Sequence, residues 1–185
     1  MRVSYAQTIF TDEEKRAVNE VLDDPACQLA PGKRVRLFEE QMAAVFGKKY
    51  GTMVNSGSSA NLLALYCMGK AGMEVLTPAL TFGTTISPIY LFGMKPVFFD
   101  VDRETLQIDV PSVVKYLRRN PMRERIFMIP ALMGNLPDLP ELQKISQERI
   151  LGNFDIRERS RHGLGVYIFF IVTSVKFWRW PFNFR

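Results

Sequence analysis

The spacing of apolar residues predicts two helices near the start of the chain. Thr11 and Glu14 are spaced as a capping box, and the apolar stripe that follows them ends before Asp24 and Pro25. After a short loop, a second apolar stripe runs to Gly47, a residue type that commonly ends helices. We therefore expect two consecutive helices at the start of the chain.

Between residues 50 and 148, short apolar runs alternate with helical stripes. The predicted strands are residues 50–55, 74–77, 96–100 and 126–130, and the predicted helices are residues 60–72, 81–92, 110–118 and 138–148. Helix 60–72 is apolar around most of its surface, so we expect it to be buried, with Cys67 on an interior face. The alternation argues for an α/β fold in which a mostly parallel sheet is sandwiched by helices.

Charge adds a boundary that the hydrophobic pattern does not show. The chain has 24 Lys and Arg, 19 Asp and Glu and a net charge of +5, which ordinarily favours a nucleic acid or an anionic membrane as partner. Residues 1–148 are neutral, however, with 17 basic and 17 acidic side chains. Residues 149–185 carry the whole excess and both tryptophans. We therefore expect one domain over residues 1–148, followed by an atypical basic, aromatic tail over residues 149–185.

Cysteine usage and the lengths of the apolar runs indicate the compartment. Two cysteines in no metal-type spacing are too few for a disulfide framework. The first residues lack the apolar core of a secretory signal, and the longest apolar run has nine residues, against roughly 18 for a membrane-spanning helix. We expect a cytoplasmic protein with no membrane span and no bound metal.

A polar turn before the helix at residue 60 is the strongest candidate site. Gly57, Ser58 and Ser59 lie where the predicted strand 50–55 meets that helix. A helix start presents unpaired N–H groups and a positive dipole end, so glycine and hydroxyl donors there favour a phosphate. The alternative is that the serines only cap the helix. The turn has neither the lysine of a P-loop nor the glycine spacing of a Rossmann loop.

Two further candidate positions follow predicted strands. Phe82, within residues 81–85, is placed to cover a planar ligand at the sheet edge, although a phenylalanine after a strand more often belongs to the core. Asp100 and Asp102 end the next strand. Paired carboxylates can perform acid–base chemistry, but a turn or capping role is the more common one.

Four segments together resemble the DegT family of pyridoxal-phosphate-dependent nucleotide-sugar aminotransferases, which have fold type I. The segments are residues 38–39, 50–65, 74–82 and 93–102. Their specific parts are the Ser-Gly-Ser-Ser-Ala-Asn, Pro-Ala-Leu-Thr-Phe and Phe-Asp-Val-Asp blocks at matching spacing. The resemblance covers about residues 5–148 and implies an incomplete large domain of a fold-type-I enzyme.

The resemblance also implies a role for each candidate residue. Ser58 and Ser59 match positions that hold the cofactor phosphate, Gly57 shapes the turn, and Phe82 matches the aromatic residue that stacks on the pyridine ring. The implied cofactor is pyridoxal 5'-phosphate or pyridoxamine 5'-phosphate, an electron sink for substrate carbanions. The implied substrate is a nucleotide-linked keto sugar used for surface polysaccharides or glycoconjugates. The full-length family members are implied to be homodimers.

Three stretches resemble the sugar 3-dehydratase branch of this family in particular. They are residues 56–63, 84–88 and 132–135. The resemblance implies that members of this branch use the same cofactor to remove a hydroxyl from a 4-keto sugar, with a histidine in place of the Schiff-base lysine. Both the aminotransferase and the 3-dehydratase activity stay open, because the deciding position falls in no recognisable motif.

No family motif is recognisable after residue 148. The resemblance implies an acid that pairs with the pyridine nitrogen and a Schiff-base lysine or histidine, and no residue of 149–185 matches either. We therefore expect the tail to be foreign to the fold, as a shifted reading frame would make it, and this chain to be truncated and without transaminase activity. The alternative function is a non-catalytic remnant with weak phosphate or cofactor binding. We expect no nucleic-acid partner, because no known nucleic-acid-binding module surrounds the basic and aromatic residues of the tail.

Overall fold

The computed structural model describes residues 11–27, 30–46, 49–121, 125–132, 135–138, 140–142 and 144–145. The chain divides between Asn55 and Ser56 into two compact units. All residues of the candidate site, from Gly57 to Phe82, belong to the second unit. The predicted boundary at residue 148 and the tail lie outside the described residues.

The first unit contains the two predicted helices, α1 (Asp12–Leu22) and α2 (Lys33–Val45). The predicted capping box is present, because the Thr11 hydroxyl accepts an N–H of the first turn at 3.3 Å and the Glu14 carboxylate accepts the Thr11 N–H at 2.6 Å. The hydrogen bonds from Thr11, led by that of its side chain, lower the pKa of Glu14. These contacts fix the start of α1 where the sequence indicates it. The predicted stop at Gly47 lies outside the described residues.

Residues 50–55, predicted as a strand, do not form one. The Met53 N–H donates to Glu39 Oε1 at 2.8 Å, and not to a neighbouring strand. Gly51 lies so close to α2 that a Cβ at this position would come within 2.5 Å of the Glu39 backbone oxygen. The segment is therefore held by a helix residue distant in sequence, which is why its apolar pattern gave the wrong prediction.

The second unit is a three-stranded parallel sheet with helices. Its elements are α3 (Gly57–Met68), β1 (Glu74–Pro78), α4 (Gly83–Leu91), β2 (Lys95–Phe99), α5 (Val110–Arg119) and β3 (Arg125–Phe127). The strand order is β2-β1-β3, with Glu74 of β1 beside Lys95 of β2 and Arg125 of β3. Residues 140–142 and 144–145 are helical. The predicted α/β fold with a parallel sheet is confirmed.

Two apolar clusters cover the two faces of this sheet. Leu76 of β1 packs in one cluster with Val113 of α5. The neighbouring residue Val75 points to the opposite face, as alternation along a strand requires, and packs with Leu65 of α3 and Ile89 of α4. All five side chains are fully buried. The sheet is thus sandwiched by helices, as predicted.

Helix α3 differs from its prediction in length and in burial. It begins at Gly57 and not at residue 60, and its C-cap is Gly69 and not Gly72. A Cβ at this C-cap would lie 2.7 Å from the Leu65 backbone oxygen and would displace the end of the Met94 side chain. Cys67, expected on an interior face, is exposed. The prediction was wrong because one stripe alone is buried among the described residues, consisting of Asn61, Ala64 and Leu65.

Strand β3 ends at Phe127, short of the predicted residue 130. The Met128 N–H still donates to the Leu76 carbonyl at 2.9 Å. Pro130 has no N–H with which to extend this ladder, so the pairing stops.

A buried ion pair joins β1 to β3 at the amino end of the sheet. Arg125 Nε lies 2.7 Å from Glu74 Oε2, and each side chain is 9% exposed. The Tyr116 hydroxyl donates to the same carboxylate oxygen at 3.1 Å, and the Arg125 guanidinium also donates to the Asn120 carbonyl at 2.7 Å. Burial raises the pKa of Tyr116, and the hydrogen bond to Glu74 raises it further. This cluster stabilises the end of the sheet opposite to Phe82.

Candidate functional site

Two of the three predicted positions follow parallel strands directly. Residues 81–85 follow β1 and residues 100–102 follow β2, so both lie at the carboxyl end of the sheet, where open α/β sheets bind ligands. Residues 56–59 follow no strand among the described residues, and they form the N-cap and first turn of α3. The first candidate is therefore a helix start and not a strand–helix junction.

Ser56 is the residue that caps α3. Its Oγ accepts the N–H of Ser59 at 3.2 Å, and the two hydroxyl oxygens lie 3.1 Å apart. The Ser56 backbone is extended, with φ −160° and ψ 159°, as an N-cap requires. The capping interpretation is thus correct for Ser56, and this cap engages both the N–H and the hydroxyl of Ser59.

Gly57 and Ser58 retain the open donors of this helix start. Their N–H groups have no hydrogen-bond partner within the described ranges, as first-turn N–H groups commonly do not. Ser58 is exposed, and the first turn of α3 contains no acidic residue. The positive end of the helix dipole is therefore not neutralised locally and is suited to an anion.

Phe82 is the N-cap residue of α4 and is 54% exposed. The alternative that it belongs to the core is therefore wrong. The preceding residue, Thr81, has a buried hydroxyl oxygen without a hydrogen-bond partner in the part of the chain that the structure describes. An aromatic face at the end of β1 is thus available to a planar ligand.

A hydrogen bond between helices joins the two candidate positions. Asn61 Nδ2 donates to the Thr84 carbonyl at 3.2 Å, and Asn61 is only 7% exposed. Asn61 lies about one turn beyond Ser58 in α3, and Thr84 lies in the first turn of α4, which Phe82 caps. The open N–H donors and the exposed ring therefore lie at the starts of two helices that contact each other.

The carboxylate of Asp102 holds a turn. Its Oδ1 accepts the N–H and the hydroxyl of Thr105 at 2.8 and 3.0 Å and the N–H of Glu104 at 3.0 Å. These bonds, led by the one from the Thr105 N–H, lower the pKa of Asp102, which makes it a weak base. Asp100 accepts the N–H of Val101 at 2.8 Å. The turn interpretation is confirmed for Asp102.

Asn61 is the site residue whose role the sequence interpretation missed. A signal was available, because an asparagine between apolar residues of a helix needs a partner for its amide once it is buried. Its partner lies 23 residues away on another helix, so local pattern alone did not identify it.

The part of the chain that the structure describes has neither a cluster of metal ligands nor a membrane-spanning helix. Among the described residues, no group of three or more His, Cys, Asp and Glu side chains is placed to hold a metal ion. Within the same ranges, no helix is long and apolar enough to cross a membrane.

A family model and several curated proteins match this chain. A family model described as the DegT/DnrJ/EryC1/StrS aminotransferase family matches residues 8–152. GDP-4-keto-6-deoxy-D-mannose 3-dehydratase of Escherichia coli O55:H7 is 33% identical over 147 residues, which are 76% of this chain and 37% of that protein. The chain thus spans little more than a third of the length of the curated relatives it matches.

Solved structures match the fold of the described residues. E. coli GDP-4-keto-6-deoxy-D-mannose-3-dehydratase with bound hydrated PLP has a TM-score of 0.68 and 29% identity, covering 86% of this chain and 44% of that one. A variant of GDP-4-keto-6-deoxymannose-3-dehydratase with bound GDP-perosamine has a TM-score of 0.65 and 32% identity, covering 76% of this chain and 37% of that one. The predicted fold, part of the large domain of a fold-type-I enzyme, is confirmed.

Proposed function

Because the chain belongs to the DegT/DnrJ/EryC1/StrS aminotransferase family, we propose that it is the N-terminal part of a pyridoxal-phosphate-dependent enzyme that acts on a nucleotide-linked keto sugar. Residues 1–148 supply the first part of the cofactor-binding large domain. The observation that carries the proposal is the pair of contacting helix starts, one with open N–H donors and one with an exposed aromatic ring.

The cofactor phosphate binds at the start of α3. The N–H groups of Gly57 and Ser58 donate to it, and the exposed Ser58 hydroxyl adds a third donor. The Ser59 hydroxyl contacts the Ser56 hydroxyl, so it can donate to the phosphate only when that contact is broken. This division refines the assignment from the sequence, in which Ser58 and Ser59 had equal roles.

Phe82 stacks on the pyridine ring of the cofactor. Its exposure leaves a ring face free, and as N-cap of α4 it lies at the start of the helix that Asn61 of α3 contacts. Stacking holds a planar ring while leaving its edges free for the reaction. The bound cofactor, pyridoxal 5'-phosphate or pyridoxamine 5'-phosphate, supplies an electron sink.

The 3-dehydratase branch is the better supported activity. The solved structures of such enzymes named above are 29% and 32% identical to this chain, against 20% for a solved sugar aminotransferase of Streptococcus pneumoniae. The proposed reaction is removal of the C3 hydroxyl of a nucleotide-linked 4-keto sugar during polysaccharide synthesis. The described residues include no assigned acid for the pyridine nitrogen and no assigned Schiff-base residue.

A homodimer in the cytoplasm completes the proposal. Helices α3 and α4 expose large apolar side chains on their outer surfaces, and these residues are Leu62, Leu63, Tyr66, Tyr90 and Leu91. Apolar surface of this kind is commonly covered by another subunit or by further chain. A cytoplasmic location follows from the nucleotide-linked substrate that we propose.

Titration with pyridoxamine 5'-phosphate tests the cofactor site. This form is the suitable probe, because its amine forms no Schiff base with surface lysines. We expect saturable one-site binding in equilibrium dialysis, and we expect inorganic phosphate to compete. Ser58→Glu should abolish the binding of pyridoxamine 5'-phosphate, because the new carboxylate occupies the positive end of α3 and repels the phosphate.

Asn19→Glu is the matched control, since it adds the same charge at an exposed position of α1 and should leave binding unchanged. Absence of saturable binding by the folded parent chain, or equal binding by Ser58→Glu, would contradict the proposed cofactor site.

A further inference from the structure

Pro88 leaves one carbonyl of α4 without its usual helical partner. In an α-helix the N–H of each residue donates to the carbonyl four residues earlier, so the Thr84 carbonyl would accept from residue 88. Proline has no N–H, and Pro88 lies inside α4. The Thr84 carbonyl therefore needs a donor from outside its own helix.

Asn61 of α3 supplies that donor. Its Nδ2 lies 3.2 Å from the Thr84 carbonyl oxygen, and its side chain is buried. Pro88 thus removes the N–H that would bond the Thr84 carbonyl within α4, and the Asn61 amide of α3 supplies the missing donor. A helix with an ordinary residue at position 88 would satisfy Thr84 internally and would not require a bond to α3.

This bond has a direction that apolar packing between the helices lacks. Leu65 of α3 and Ile89 of α4 share one apolar cluster, and contacts of this type tolerate small shifts of one helix along the other. The Asn61–Thr84 bond instead ties a fixed point near the start of α3 to a fixed point near the start of α4.

We infer that Asn61 is a positioning residue that sets the separation between the phosphate-binding start of α3 and the ring-stacking Phe82 of α4. The inference depends on the proposed function, and Asn61 itself touches neither part of the cofactor. It predicts that loss of the bond lowers the affinity for a ligand that contacts both helix starts. The affinity for a ligand that contacts α3 alone should be unchanged.

Asn61→Leu in the full chain, with two ligands, provides the test. Pyridoxamine 5'-phosphate spans both helix starts, whereas inorganic phosphate uses α3 only. We expect Kd for pyridoxamine 5'-phosphate to rise about tenfold and Kd for inorganic phosphate to stay within about twofold. Asn120→Leu is the matched control, because Asn120 Nδ2 donates to the Tyr116 carbonyl at 3.0 Å at the end of α5. It should leave both dissociation constants unchanged.

A second variant separates positioning from folding. Pro88→Ala restores an N–H that satisfies the Thr84 carbonyl within α4, so Asn61→Leu/Pro88→Ala should regain the thermal stability that Asn61→Leu loses. Its affinity for pyridoxamine 5'-phosphate should stay about tenfold below the parent, since nothing then ties α4 to α3. Recovery of that affinity together with stability would overturn the positioning role, as would unchanged affinity in Asn61→Leu or equal loss for both ligands. Failure of the parent to bind pyridoxamine 5'-phosphate would instead overturn the proposed function, and the positioning role with it.

Discussion

Replacing Arg125 with methionine is expected to lower the free energy of unfolding by about 3–5 kcal/mol. The Arg125 and Glu74 side chains are almost fully buried, and removing the guanidinium takes away the charged donor that lies 2.7 Å from the Glu74 carboxylate in this poorly solvated site. The Asn120 carbonyl also loses the donor 2.7 Å away. Urea denaturation followed by far-ultraviolet circular dichroism measures the loss, and a variant already unfolded in buffer agrees with the expectation.

An exposed ion pair of the same chain serves as the control for Arg125. Lys15 Nζ lies 2.8 Å from Asp12 Oδ1, with side chains 55% and 90% exposed. Exposed pairs contribute about 0–1 kcal/mol, so Lys15→Met should have a small effect. Glu74→Leu/Arg125→Met should recover much of the lost stability, because the buried carboxylate is removed together with the guanidinium. A loss below about 1 kcal/mol for Arg125→Met would show that the buried pair does not stabilise the sheet.

Replacing Phe82 with alanine is expected to weaken pyridoxamine 5'-phosphate binding about 30-fold, which corresponds to roughly 2 kcal/mol for one stacked ring. Phe82 is exposed in the free chain, so the substitution should scarcely change the unfolding temperature. Phe82→Trp should retain most of the affinity, since it keeps an aromatic face. Equilibrium dialysis with the two phosphate ligands measures the effect.

Phe98→Ala is the control for the loss of an aromatic side chain. Phe98 lies on β2 and is 48% exposed, close to the exposure of Phe82, but it is outside the candidate site. Its substitution should leave the affinity unchanged. Inorganic phosphate should bind Phe82→Ala as it binds the parent, and a parallel loss for inorganic phosphate would be inconsistent with a stacking role.

The sequence predicted those parts of the fold that depend on local signals. The capping box at Thr11 and Glu14 identified the start of α1, and the alternating strands and helices identified the parallel sheet. Residues 50–55 gave a wrong prediction because their hydrogen-bond acceptor, the Glu39 carboxylate, belongs to a helix that the pattern of 50–55 does not reveal.

For the candidate site, the sequence likewise predicted the residues but not the hydrogen bonds that they make. Gly57, Ser58, Ser59 and Phe82 follow from recognisable blocks, and the structure places them at two contacting helix starts. The distinction between Ser56 as cap and Ser58 as open donor needs backbone geometry. The bond between Asn61 and the Thr84 carbonyl needs the fold itself, because Pro88 creates the demand in one helix and the donor comes from another.

An amide-resolved nuclear magnetic resonance titration tests the central claim most directly, because it locates the ligand on the chain. Pyridoxamine 5'-phosphate should shift the Gly57 and Ser58 amide signals saturably and should also shift the Phe82 ring signals. Inorganic phosphate should shift the two amides alone, and pyridoxamine without phosphate should leave them in place. Saturable shifts confined to other residues, or amide shifts that pyridoxamine reproduces, would contradict a phosphate site at the start of α3.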